Sequence, residues 1–156
     1  MKYLCLGYLA PGKFEGMTED ERNAVFDDCF AHNDHLRANG NLLAEVPLHS
    51  PETAVTLHWK DGKVTTTDGP YAETKEQLGG LQILEARDLN HAMQLVSQLP
   101  GLSKYGLGPI EIRPVVDLTE IIKKSEQRRR KVSHAESHDE AKSLRCVFSP
   151  DENDPS

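Results

Sequence analysis

Cysteines, aromatic side chains and long apolar runs are all scarce in this chain, and each scarcity removes a class of protein. The three cysteines (Cys5, Cys29 and Cys146) are an odd number at unrelated spacings, so no disulfide framework is implied. No apolar stretch approaches the roughly 20 residues of a membrane span. The opening "MKYLCLGYLAPGK" is too short in apolar residues for a secretory signal, and the chain is therefore expected to be soluble and cytoplasmic. Basic charge is also in short supply. The chain holds 18 Lys and Arg against 25 Asp and Glu, and 8 of each sign lie beyond residue 117. The first 117 residues thus carry 10 basic against 17 acidic side chains. An acidic body argues against binding to nucleic acid, which rests on phosphate neutralisation by Lys and Arg. No glycine-rich nucleotide loop, Ser/His/Asp signature or cofactor-attachment motif is present, so neither cofactor nor metal is expected.

What is present is clear punctuation of secondary structure. Tyr3 to Tyr8 is a short apolar run closed by Pro11 and Gly12, and it reads as a strand. "MTEDERNAVFDDCFAHNDHLRANG" reads as a helix, with Thr18 and Glu21 as a capping box and Gly40 as its stop. At about 100° per residue, Val25, Cys29 and Leu36 share a stripe that Phe26 widens, so this face is expected to be buried. Asn41 to Leu48 is extended. Val55, Leu57 and Trp59 then alternate with Thr56, His58 and Lys60, Asp61-Gly62 supplies a two-residue turn, and Val64 to Thr67 returns. Gly80 to Ala86 reads as a strand. Asp88 caps a second helix, where Leu89, Ala92, Met93, Val96 and Leu99 recur until Pro100. "PIEIRPVV" is a last strand, with Ile110 and Ile112 on one side and Glu111 and Arg113 on the other.

The order β-α-β-hairpin-β-α-β predicts a ferredoxin-like α+β fold with both helices on one face of a sheet. The opposite face then needs a cover, which predicts a homodimer. The domain is expected to span residues 1–117. Residues 118–156 read as a charged helical extension, ending in "SPDENDPS", which has the composition of disorder. "KKSEQRRRK" reads as a solvated helix because the extension is charge-balanced. His134, His138 and Cys146 are too loosely spaced to read as a metal site.

"TTDGPYAETKEQLGG", followed by the helix start "LEARDLNHA" and by "IEIRPV", resembles the DGPF-domain branch of the YCII-related family over residues 1 to 117. Tyr71 stands where that branch has Phe. The resemblance implies a dimeric α+β barrel, in which two ferredoxin-like sheets meet and enclose pockets. It further implies proximity to sigma factors of the extracytoplasmic-function type, beside which members are often encoded. Many members of the broader family place a His on the first helix near an Asp after the second, a pair suited to general acid–base work. A register set on Gly40 puts that His at Cys29, and one set on "RDL" puts the Asp at Leu99. The chain departs from the dyad at both places.

Other residues are candidates for chemistry. Asp28, His32 and His35 recur at i, i+4 and i+7, within about 60° of one another on the first helix. They suit either a His base oriented by Asp28 or a solvated helix flank. Cys29, His32 and His35 span too wide an arc to hold a metal unaided. Asp68-Gly69-Pro70 is explained by turn chemistry, but the crowded Glu73, Lys75 and Glu76 are not. The candidate catalytic residues are therefore His32, His35, Asp68 and Lys75, and the candidate ligand-binding residues are Tyr71, Glu73, Glu76 and Arg113. His58 and Arg113 lie on polar sides of their strands, facing a cavity or solvent. Two functions fit. One is an acid–base enzyme (lyase, isomerase or hydrolase) acting on a small polar or aromatic compound. The other is a non-catalytic ligand-binding or regulatory accessory linked to sigma-factor control.

Overall fold

A computed structural model describes residues 1–130. "SPDENDPS", His134, His138 and Cys146 lie outside the described residues. Residues Met1–Val115 form one compact unit and Val116–Ser156 another.

The first unit runs β1 (Lys2–Leu9), α1 (Glu19–Ala38), β2 (Leu42–Pro47), a 3-10 turn (Pro51–Thr53), β3 (Val55–Lys60), β4 (Lys63–Asp68), β5 (Gln77–Glu85), α2 (Leu89–Ser97), α3 (Pro100–Ser103) and β6 (Ile110–Pro114). Strands β2, β5, β1 and β6 form one antiparallel sheet in that order, and β3 and β4 form a separate hairpin. This is the α+β, ferredoxin-like arrangement. The local signals act as read. Thr18 and Glu21 close a reciprocal capping box on α1. Asp88 accepts from the His91 backbone N–H at 2.8 Å to start α2. Asp61 and Gly62 both take positive φ in the hairpin turn, the backbone that a two-residue turn demands.

The core lies on one side of the sheet. Cys5, Leu84 and Leu42 pack with Leu36 of α1 and with Val96 and Leu99, while Tyr3 and Ala86 meet Ala92. Strand register sorts the other side, since residues directly opposite one another share a face. Leu4 pairs with Ile83 and Leu6 with Leu81, and Ala44 and Val46 continue those rows across β2. That face is therefore largely apolar, and the helices of the first unit lie on the other side.

Several expected burials fail for a common reason. Phe26 is 45% exposed and Met93 52% exposed, because each lies at the edge of its helix's buried arc rather than in it. On the hairpin the apolar side faces outward: Leu57 is 67% and Trp59 74% exposed, whereas Thr56 and His58 are half-buried. Nothing in the first unit packs on that side. Pro100 does not simply end α2. It occupies the first turn of the four-residue α3, where its missing N–H costs nothing.

In the second unit, residues 119–130 are helical. The Asp117 carboxylate accepts from both the backbone N–H and the hydroxyl of Thr119 at the helix start.

Between α3 and β6 the chain presses against β1. Tyr8 donates its N–H to the Pro109 carbonyl at 3.0 Å, and Ala10 to Leu107 at 2.8 Å. A Cβ at Gly108 would lie 2.0 Å from the Tyr8 carbonyl oxygen, backbone against backbone with nothing free to give way. Gly108→Ala should therefore destabilise by about 3 kcal/mol, the top of the overpacking range, with a melting temperature lower by on the order of 10 °C. Gly16→Ala, whose Cβ would meet nothing within 4 Å, is the matched control and should be silent in the same thermal melt.

Candidate functional site

Reading across the sheet on its helix-facing side explains where a cavity opens. One row is Leu42–Leu84–Tyr3, filled by core side chains. The next is Glu45–Gln82–Cys5–Ile112. The third is Pro47–Gly80–Gly7–Ile110, and its two central positions have no side chain at all. With α1 above and the α3 segment at the end, those two glycines leave a cavity of about 230 Å³. Cys29 and Asn33 of α1, Leu99, Leu102 and Leu107 also line it.

One wall of this mostly apolar cavity is polar. Gln82 donates through Nε2 to Asn33 Oδ1 at 3.1 Å, and Asn33 donates through Nδ2 to Glu45 Oε2 at 3.0 Å. Arg37 donates to the same Glu45 oxygen and, at 2.8 Å, to Asp34. Asn33 is only 6% exposed and is the buried polar residue of the described chain. Its two hydrogen bonds offset the cost of burying an amide.

Two thiols also face the cavity. Burial pushes the Cys5 thiol up to about 11. Burial also raises the Cys29 thiol, and the charges of Asp28 and Glu45 add to this, against a lowering by the Gly101 backbone N–H. Both sulfurs are therefore neutral thiols near pH 7, poor nucleophiles in a site shielded from water.

The candidates read from the sequence lie elsewhere. On α1, Asn33 borders the buried stripe on one flank, while Asp28, His32 and His35 border it on the other. Asp28 accepts from Lys104 Nζ at 2.5 Å and from the Tyr105 hydroxyl at 2.6 Å, so it does not orient a histidine. The Lys104 and Tyr105 bonds hold the Asp28 carboxyl below its usual range. His32 is half-buried, with a buried Nε2 that has no partner among the described residues. Burial, and then the neighbouring His35, keep its imidazole neutral to lower pH than usual. The exposed His35 bonds to Asn39. Neither histidine lines the cavity.

The "DGPYAETKE" segment is on the surface. Asp68 ends β4 opposite Val55, and Gly69 takes φ 91° while donating to the Ala54 carbonyl at 2.7 Å. Tyr71 is 84% exposed, its ring 6.3 Å from His58, which itself bonds to Thr67. Glu73 and Lys75 are exposed and Glu76 half-buried, and only the Glu76 carbonyl is engaged, by Thr74. Arg113 lies beside Glu111 at 3.7 Å on the uncovered sheet face. The structure brings none of these residues to the cavity. Among the described residues, no cluster of three or more His, Cys, Asp or Glu is placed to hold a metal.

A family model of the YCII-related domain matches residues 1–119. The chain belongs to the YCII-related family. A relative in Rhizobium meliloti (strain 1021), itself uncharacterised, is 29% identical over 115 residues, which is 74% of this chain and 92% of the relative. Among solved structures, the chain is similar to 5-chloro-2-hydroxyhydroquinone dehydrochlorinase from Burkholderia phenoliruptrix AC1100, in complex with 2,5-dihydroxybenzoquinone. That likeness has a TM-score of 0.45 and 19% identity, covering 74% of this chain and 94% of the other. Cys29 and Leu99, the positions to which the sequence register carries the YCII-related His and Asp, both line the cavity.

The sequence reading missed the Gln82–Asn33–Glu45 relay. One part had a signal: Asn33 lies four residues beyond Cys29, a polar side chain at the edge of the apolar stripe. The rest needed the strand register.

Thiol chemistry supplies the check. Iodoacetamide should modify Cys5 and Cys29 more slowly than a free thiol at pH 7.5. Followed peptide by peptide by mass spectrometry, the Cys5 rate should still climb at pH 10, because only the thiolate reacts and its thiol is pushed up to about 11. A slow rate that levels off near the ordinary cysteine range would mean steric shielding without a raised pKa.

Proposed function

We propose that this YCII-related protein is a cytoplasmic, homodimeric small-ligand-binding protein whose cavity takes a compact, largely apolar molecule about the size of a single ring. The observation that carries the reading is the cavity over Gly7 and Gly80, at about 230 Å³, with apolar walls and one polar side. Roughly 150 Å³ is enough for a benzene-sized guest, and a pocket of this character with a few convergent polar groups suits small-molecule recognition. The family register puts Cys29 and Leu99 where the dyad's His and Asp would stand, and Leu99 has no proton to exchange. Binding without turnover is the better fit, and it suits a regulatory accessory for which occupancy is the signal. The unpaired thiols of Cys5 and Cys29 match a reducing compartment.

The dimer rests on two apolar surfaces that the first unit's own elements leave uncovered. These are the sheet face of Leu4, Leu6, Leu81 and Ile83, and the hairpin side of Val55, Leu57, Trp59 and Val64. Exposed apolar area of this kind marks an association surface. Light scattering at micromolar concentration should return twice the chain mass, and a clean monomer would remove this part of the reading.

The cavity has a direct test. A Cβ on Gly7 would meet only the Gly80 carbonyl oxygen, at an ordinary 3.6 Å, so a larger side chain there points into the void without touching backbone. Toluene should raise the melting temperature of the wild type, as any ligand selective for the folded state does. Gly7→Val should fold with an equal or higher melting temperature and lose the toluene response. A plugged variant that still responds would place the binding elsewhere.

A further inference from the structure

We propose that the amide relay on the cavity wall selects ligands that carry a neutral hydrogen-bond donor, and that Gln82 is the residue that reads it. The inference rests on the small-ligand reading above and names the chemistry of the guest.

Glu45 is the one group of the relay whose polarity is fixed from outside. Glu45 Oε2 receives the guanidinium of Arg37, which can only donate, so that oxygen is an acceptor. Asn33 must then turn its NH₂ toward Glu45, as the 3.0 Å contact has it. That choice leaves Asn33 Oδ1 facing Gln82, which has to donate in turn, at 3.1 Å. Each amide is thereby held in one of its two flips, and the direction set at Arg37 travels through three side chains. At the end of the chain Gln82 Oε1 is an acceptor with no partner among the described residues, on a residue that lines the cavity.

The balance of leftover groups points the same way. Glu45 Oε1 has no hydrogen-bond partner among the described residues either, and it shares the carboxylate charge. Against these stand the second hydrogens of the two amides and the weakly donating thiols of Cys5 and Cys29. A hydroxyl or N–H on the guest satisfies the free oxygens, and bonds to a charged acceptor are stronger than neutral ones. A guest that offers only an acceptor leaves the Gln82 oxygen desolvated and unpaired, and a site pays heavily for that. An anionic guest meets the Glu45 charge within a body that is already acidic.

Three neutral probes of one ring and one small substituent separate the possibilities: toluene, aniline and benzonitrile. Their dissociation constants are measured for the wild type, Gln82→Leu and Glu45→Gln, with Gly7→Val as the blocked control. In the wild type, aniline should bind at least about fivefold more tightly than benzonitrile. Gln82→Leu should abolish that preference while toluene binding stays or tightens. Glu45→Gln should weaken the preference, because an amide there can both donate and accept and so frees the relay to run either way. Equal or tighter benzonitrile binding in the wild type overturns the proposal. So does an aniline preference that survives in Gln82→Leu, which would put the donor's partner elsewhere. If toluene fails to bind the wild type, the small-ligand reading falls and this inference falls with it. Toluene binding without any donor preference removes the relay's role alone.

Discussion

Where β1 and β5 run past each other at Gly7 and Gly80, the sheet has no side chains on the side that faces the helices. Neighbouring rows on that face hold Leu84 and Tyr3, or Cys5 and Gln82: Leu84 and Cys5 pack with Leu36 of α1, Gln82 bonds to Asn33 of α1, and Tyr3 packs with Ala92 of α2. A helix cannot sag into a gap two residues wide, because its other contacts fix its height and interiors are close-packed rather than fluid. The void is therefore built into the strand pairing. Its mouth, lining and polar wall are whatever happens to border those two glycines.

The polar wall follows from the same pairing. Gln82 lies opposite both Cys5 and Glu45, so one row of the sheet carries an amide and a carboxylate into a region that α1 covers. Burying such groups is tolerable only when each finds a partner. Asn33 supplies one from above, and Arg37 supplies the other from the helix's last turn. The relay is thus a condition for covering this row as well as a feature of the site.

Much of the fold was legible because its signals are local. Thr18 with Glu21, Asp61 with Gly62, Asp88 and Gly40 each act on their own few residues, and the structure uses each one at a cap, a turn or a stop. The order of elements then left a short list of topologies, and the antiparallel β2-β5-β1-β6 sheet is among them. Burial was less legible. Phe26 and Met93 fall within the apolar pattern, yet they lie at the rim of the packed arc, where periodicity cannot rank one position above its neighbour. The hairpin misled in the opposite sense, since its alternation is real but its apolar side meets nothing in the first unit. The cavity was least legible. "DGPYAETKE" draws the eye because its charges are adjacent in sequence, whereas Asn33, Glu45 and Gln82 are scattered along the chain and meet only through register and helix phase. Choosing between the two flanks of α1 needed that register, and the histidines lie on the flank away from the cavity.

The two glycines of the cavity floor are not equivalent. A side chain on Gly80 would press on the Val46 carbonyl at 3.1 Å, while one on Gly7 has room. The volume of the chamber is accordingly set by a single codon. Ala, Val or Leu at position 7 would step it down in increments, without moving a strand or disturbing the polar wall one row away. A scaffold arranged in this way can change the size of its guest independently of the guest's hydrogen-bonding group. Divergence within such a fold should show the two properties drifting separately.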